Sequence, residues 1–190
     1  MSSKERAKLL LVAVTVVVAN ILDLLSTYIV SPDLTHEWNI LHREFGLGWS
    51  GLIAAKIVWG MLAVAGYAYY LRNRIVCYPS PGIGCKYFYR YLVIGEPNGQ
   101  GEDSKDHHFW QRILVTLGYL WAGMQIMLFW VALDNILLLY EIQCVLRQHT
   151  EFGYHMIQGI IVASFVLFRF YAVNYARYQA SGLQQASNSR

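Results

Sequence analysis

The sequence predicts an all-α polytopic membrane protein: four transmembrane helices arranged as two hairpins, both termini cytoplasmic, with a small cytoplasmic loop between the hairpins. Three observations lead there. Four long apolar stretches fill most of the 190 residues, hydrophobic residues make up 56% of the chain against 14% charged, and Lys and Arg gather on one side of the alternating stretches. Such a composition lies outside the range of soluble domains, and the length holds one bundle without a second globular domain.

The first stretch, 9–30, follows the basic segment 1–8 and invites comparison with a secretory signal. Its apolar run is too long for a signal core, and it ends in Thr27-Tyr28-Ile29-Val30-Ser31-Pro32 without a small-x-small cleavage site, so a retained span is expected. The remaining spans are 49–71, 113–135 and 154–175. Each is long enough to cross roughly 30 Å of hydrocarbon at about 1.5 Å per residue.

Orientation follows from the basic residues. Lys4, Arg6 and Lys8 precede the first span, Arg72, Arg74, Lys86, Arg90, Lys105 and Arg112 lie between the second and third, and Arg177 and Arg190 follow the fourth. The opposite loops hold Arg43 and Arg147. The positive-inside bias therefore puts both termini and loop 72–109 in the cytoplasm. Trp38, Trp49, Trp130 and Tyr154 then fall near the outer interface, and Tyr69, Tyr70, Trp110 and Tyr175 near the inner one. This topology accounts for the net charge of +3 without a nucleic-acid partner.

Within the cytoplasmic loop, Pro79-Ser80-Pro81-Gly82-Ile83-Gly84 is a turn signal, and its aromatic and β-branched flanks, 74–78 and 85–93, predict a small extended hairpin. Segment 97–103 reads as a solvated loop, and 179–190, rich in Gln, Ser and Ala, as a fraying tail. Cys77 and Cys85 share a reducing compartment while Cys144 lies across the membrane, which argues against a disulfide framework. With His107 and His108 they match no zinc-site spacing, so interfacial histidines are expected there.

The spans carry ionisable groups where hydrocarbon penalises them: Asp23, Lys56, Asp134 and Arg169. Asn20, Asp23 and Thr27 form one stripe on the first helix. Lys56 falls at nearly the same depth on the second, where Gly60 and Ala63 permit close approach, so an Asp23–Lys56 ion pair is expected. Asp134 and Asn135 near the end of the third span and His155 at the start of the fourth complete an intramembrane polar cluster. Glu37, Asn39 and His42 form an outer-loop polar set. Carboxylates and imidazoles suit a divalent ion or acid–base chemistry, but His36 and His42 lack a helical ligand spacing, and whether a metal binds is left open. Arg169 is expected to snorkel to headgroups, and Gln125 to hydrogen-bond between helices. The acid late in the first helix (Asn20-Ile21-Leu22-Asp23) and in the third (Ala132-Leu133-Asp134-Asn135) hints at an internal duplication.

The pattern Asn20-x-x-Asp23-x-x-x-Thr27, then Glu37-x-Asn39 and a second span containing Lys56, resembles a family of small bacterial multi-pass membrane proteins of unknown function. That family follows an Asn-x-x-Asp-x-x-x-Thr helix with Glu-x-Asn-Pro. The resemblance covers about a fifth of the chain, from Ala19 to Lys56, and Ile40 stands where the family has Pro. It implies a protein of the bacterial inner membrane in which Asn20, Asp23, Thr27, Glu37 and Asn39 are a linked set, and it implies no reaction.

Three functions compete. An accessory or assembly protein, packed against other membrane subunits or copies of itself in the lipid bilayer, ranks first. A small ion- or solute-binding or transport bundle using Asp23, Lys56 and Asp134 ranks second, the sequence showing no broken helix. A membrane enzyme on a lipid or isoprenoid substrate, using Asp23, Glu37 and His42, ranks third because no nucleophile or phosphate-binding motif accompanies them. No catalytic residue and no cofactor is assigned.

Overall fold

The computed structural model describes residues 1–34, 42, 45–74, 78–79, 84–94, 109–139 and 151–188, apart from the side chains of 93–94, 138–139, 151–156 and 182–188. The main helices are α1 (Ser3–Val30), α2 (Trp49–Asn73), α3 (Cys85–Ile94), α4 (Phe109–Met124), α5 (Ile126–Leu139) and α6 (Glu151–Asn188). Four stretches, Ser3–Val30, Trp49–Asn73, Phe109–Leu137 and Ile157–Ser181, are long and apolar enough to cross a membrane. The chain is a multi-pass helical membrane protein.

Local signals explain the helix ends. Ser2 caps α1 through a reciprocal box in which its Oγ accepts from the Glu5 N–H at 3.3 Å and its own N–H donates to Glu5 Oε2 at 2.8 Å. Pro32, two residues past Val30, cannot extend the helix, and the Ser31 N–H closes the last turn on the Thr27 carbonyl. Arg72 lies in the last turn of α2, where a cation complements the negative end of the helix.

The third span is the centre of the bundle. Its most extensive contacts are made by α4 with α2 and by α5 with α1, whereas α1 and α2 touch each other less. The α2–α4 crossing depends on two glycines: a Cβ added to Gly66 would stand 2.9 Å from Gly118 Cα, so the backbones themselves meet. Beside this crossing Trp121 donates its indole N–H to the Trp59 carbonyl at 3.3 Å, with the ring centroids 4.7 Å apart. Gly123 in turn lies directly under Val166 of α6.

Aromatic packing closes the end of the bundle where the first turns of α1 meet the later part of α6. Tyr70, Leu71, Phe88, Leu92, Val115, Phe170 and Tyr178 form its core. Tyr70–Tyr119 at 4.9 Å joins α2 to α4, and Tyr119–Phe170 at 5.1 Å and Phe88–Tyr178 at 5.0 Å fix the docking of α6 on α4 and α3.

Three features depart from expectation. Segment 85–93 is helical rather than extended, because Phe88 and Leu92, one turn apart, are buried against that aromatic core and tertiary packing overrides the local preference of the rings. Helix α6 continues to Asn188, past the point where a fraying tail is expected; its Ala, Gln and Leu residues are good helix formers. The third span is interrupted at Gln125, where the bonds Gln125 N–H to Ala122 O and Leu128 N–H to Gln125 O tighten the turn to i, i+3 geometry.

Candidate functional site

The polar seam is built from α1 upward. Its stripe turns Asn20, Asp23 and Ser26 inward, and all three are buried. Asp23 forms an ion pair with Lys56 of α2; their side chains are 7% and 16% exposed. One level deeper, Asn20 Nδ2 donates to the Val16 carbonyl at 2.8 Å and to Gln125 Oε1 at 3.1 Å, so the amide at the helix break is tied to α1. One turn further along α1, Ser26 Oγ donates to the Asp23 carbonyl at 3.0 Å. Asn135 Nδ2 of α5 then donates to Ser26 Oγ at 3.1 Å and reaches Thr27 Oγ1 at 3.5 Å.

Of the expected intramembrane cluster, Asp23 and Lys56 pair directly and Ser26 links the Asp23 backbone to Asn135, which also reaches Thr27, while Asn20 bonds apart from them to Val16 and Gln125. Asp134, beside Asn135, is buried and also engaged. The side chain of His155 lies outside the described residues, as do Glu37 and Asn39. His42 is described, and its Nδ1 lies 2.9 Å from the Leu47 carbonyl, a local loop contact. Cys77, Cys144, His107 and His108 are outside the described residues.

A second polar cluster, which the sequence reading passed over, lies at the aromatic end of the bundle. Asn174 Oδ1 accepts from Tyr70 at 3.3 Å and Tyr78 at 2.9 Å, while its Nδ2 donates to the Phe170 carbonyl at 2.7 Å. Arg177 Nη1 donates to the Tyr70 hydroxyl at 2.9 Å, Arg74 pairs with Glu5 at 2.7 Å, and Arg112 stacks over Tyr91 at 4.8 Å. An amide inside an apolar span was the signal for Asn174, and the same signal applies to the buried Gln158.

Chemically, the seam couples one acid and one base that neutralise each other, surrounded by amides and hydroxyls that bond across three helices. Such a set holds helices in register, and among the described residues no group of three or more His, Cys, Asp or Glu converges as a metal site would need. No protein-family model, curated protein or solved structure matches this chain.

Proposed function

We propose that this is an accessory or assembly protein of the bacterial cytoplasmic membrane, whose α1–α2 face receives a spanning helix of a partner subunit. One observation carries the reading. Between α1 and α2 runs an apolar groove of about 640 Å³ in which small residues, Ala13, Gly60, Ala65 and Ala68, accompany Lys56 and Asn20. Small residues let a neighbouring helix approach closely. Lipid tails offer a partly exposed ammonium no hydrogen bond, whereas a helix carrying a Ser, Thr or Asn at that depth does. The low burial of the α2 window, 11%, adds to the case, since this helix has the most surface left to share.

The test is gentle detergent extraction and native mass measurement, joined to site-specific photo-crosslinking from Met61 in the groove and from Phe168 on the exposed face of α6 as control. The reading expects a species heavier than the 21.8 kDa monomer and a protein adduct from Met61 that exceeds the control. A lone monomer with lipid adducts alone at Met61 refutes it.

A second reading, a small ion- or solute-binding bundle, is favoured by one arrangement. Asn20 Oδ1 is buried without a hydrogen-bond donor among the described residues, beside the interruption at Gln125, and interrupted helices hold ions in transport bundles. Ion-dependent thermal stabilisation that disappears in Asn20→Leu would support it, and equal melting across Na⁺, K⁺ and choline salts would dismiss it.

A further inference from the structure

Around α1 from the groove, with Val16 lining both, lies a cavity of about 670 Å³ that the polar seam does not use. It is lined by α1, α2, α4, α5 and α6, and its polar groups are Lys8, Thr15, Arg169, Arg177 and the tyrosines 67, 70 and 119. Three cations face one space, and among the described residues the lining contains no Asp or Glu to neutralise them. Leu11, Phe165 and Val166 are among the apolar residues that supply its walls.

The basic groups are spread along the helix axes. Arg169 and Arg177 lie eight positions apart on one stripe of α6, roughly 12 Å along the axis, with Val173 between them. Lys8 stands near the start of α1, on a stripe that continues through Leu11, Val12 and Thr15. Arg177 is braced by its bond to the buried Tyr70 hydroxyl, itself held by Asn174, and Arg169 stands beside the Tyr119 hydroxyl. A guanidinium within an apolar span is costly without an anion, and the cavity walls provide none.

We infer that this cavity binds an anionic, phosphate-bearing lipid, whose headgroup is held by Lys8, Arg169 and Arg177 while a hydrocarbon chain lies against Leu11, Phe165 and Val166. Guanidinium groups suit phosphate because their planar fork donates two parallel hydrogen bonds, and the phosphate supplies the missing counter-charge. Basic pockets between spanning helices are known receptors for anionic headgroups. The apolar walls select a lipid over free phosphate, which gains nothing from them.

The test uses the full chain in mixed micelles, with native mass spectrometry after exchange into phosphatidylglycerol, phosphatidylcholine or 10 mM inorganic phosphate. Phosphatidylglycerol should be retained preferentially, and inorganic phosphate should not displace it. Arg169→Gln combined with Lys8→Gln should weaken retention about thirtyfold, from about fivefold per cation at roughly 1 kcal/mol for each basic group near an anionic lipid. Arg177 stays intact in that variant, so the Tyr70 and Asn174 bonds are preserved. The wild-type comparison of the two lipids stands independently should the variant fail to fold. Equal retention of both lipids, an unchanged variant, or displacement by inorganic phosphate would each overturn the assignment.

Discussion

Removing the charge from Asp23 or Lys56 one at a time, and then from both, asks whether the two side chains act as a unit. At about 4 Å and an effective dielectric near 20, two unit charges attract by roughly 4 kcal/mol, and both side chains are more than four-fifths buried, so solvent screens little of it. Asp23→Asn leaves an ammonium facing an amide, and Lys56→Met leaves a carboxylate facing a thioether; each should cost about 3–5 kcal/mol, the range for stranding one member of a buried pair. The double variant strands neither. Its loss should be about 1–2 kcal/mol, from imperfect packing, which makes the coupling at least about 4 kcal/mol. The assay is a double-mutant cycle on unfolding by sodium dodecyl sulfate in mixed micelles, followed by circular dichroism. Additivity to within about 0.5 kcal/mol would mean that the groups do not sense each other, and the register role of the pair would fall.

Two further substitutions test the packing that surrounds the seam. Gly118→Leu forces a side chain into the Gly66 backbone and should destabilise the α2–α4 crossing by about 3 kcal/mol or more, whereas Gly60→Ala, whose added methyl meets the movable Val16 side chain at 3.3 Å, should cost under about 1 kcal/mol; the same detergent unfolding assay separates them. Asn174→Leu deprives Tyr70 and Tyr78 of their shared acceptor and should cost about 1–3 kcal/mol, read as the shift in melting temperature.

The spans and the ion pair were legible because both follow from solvation alone: long apolar runs, and two charges of opposite sign at matching depth. The interruption at Gln125 was not, since no proline marks it, and the turn instead accompanies the switch of the third span from α2 to α1, with the Asn20 bond at the crossover. Helix α3 was misread because tyrosine and phenylalanine favour strands only when a sheet is there to receive them, and here the available surface was the aromatic end of the bundle. The second polar cluster escaped notice through attention to full charges. Asn174 lies among apolar residues without a formal charge, yet it collects two hydroxyls. Glu37, Asn39 and the His155 side chain, which complete the expected sets, lie outside the described residues.

The central place of the third span has a consequence for biosynthesis. Helices enter a bilayer in chain order, and α2 finds its tightest neighbour, α4, only after residue 109 has been made. Until then the nascent pair α1–α2 is joined by modest packing and by two ion pairs, Asp23 with Lys56 and Glu5 with Arg74. Charge attraction would thus serve as a temporary clasp during translation, holding two young helices together until a later one locks them.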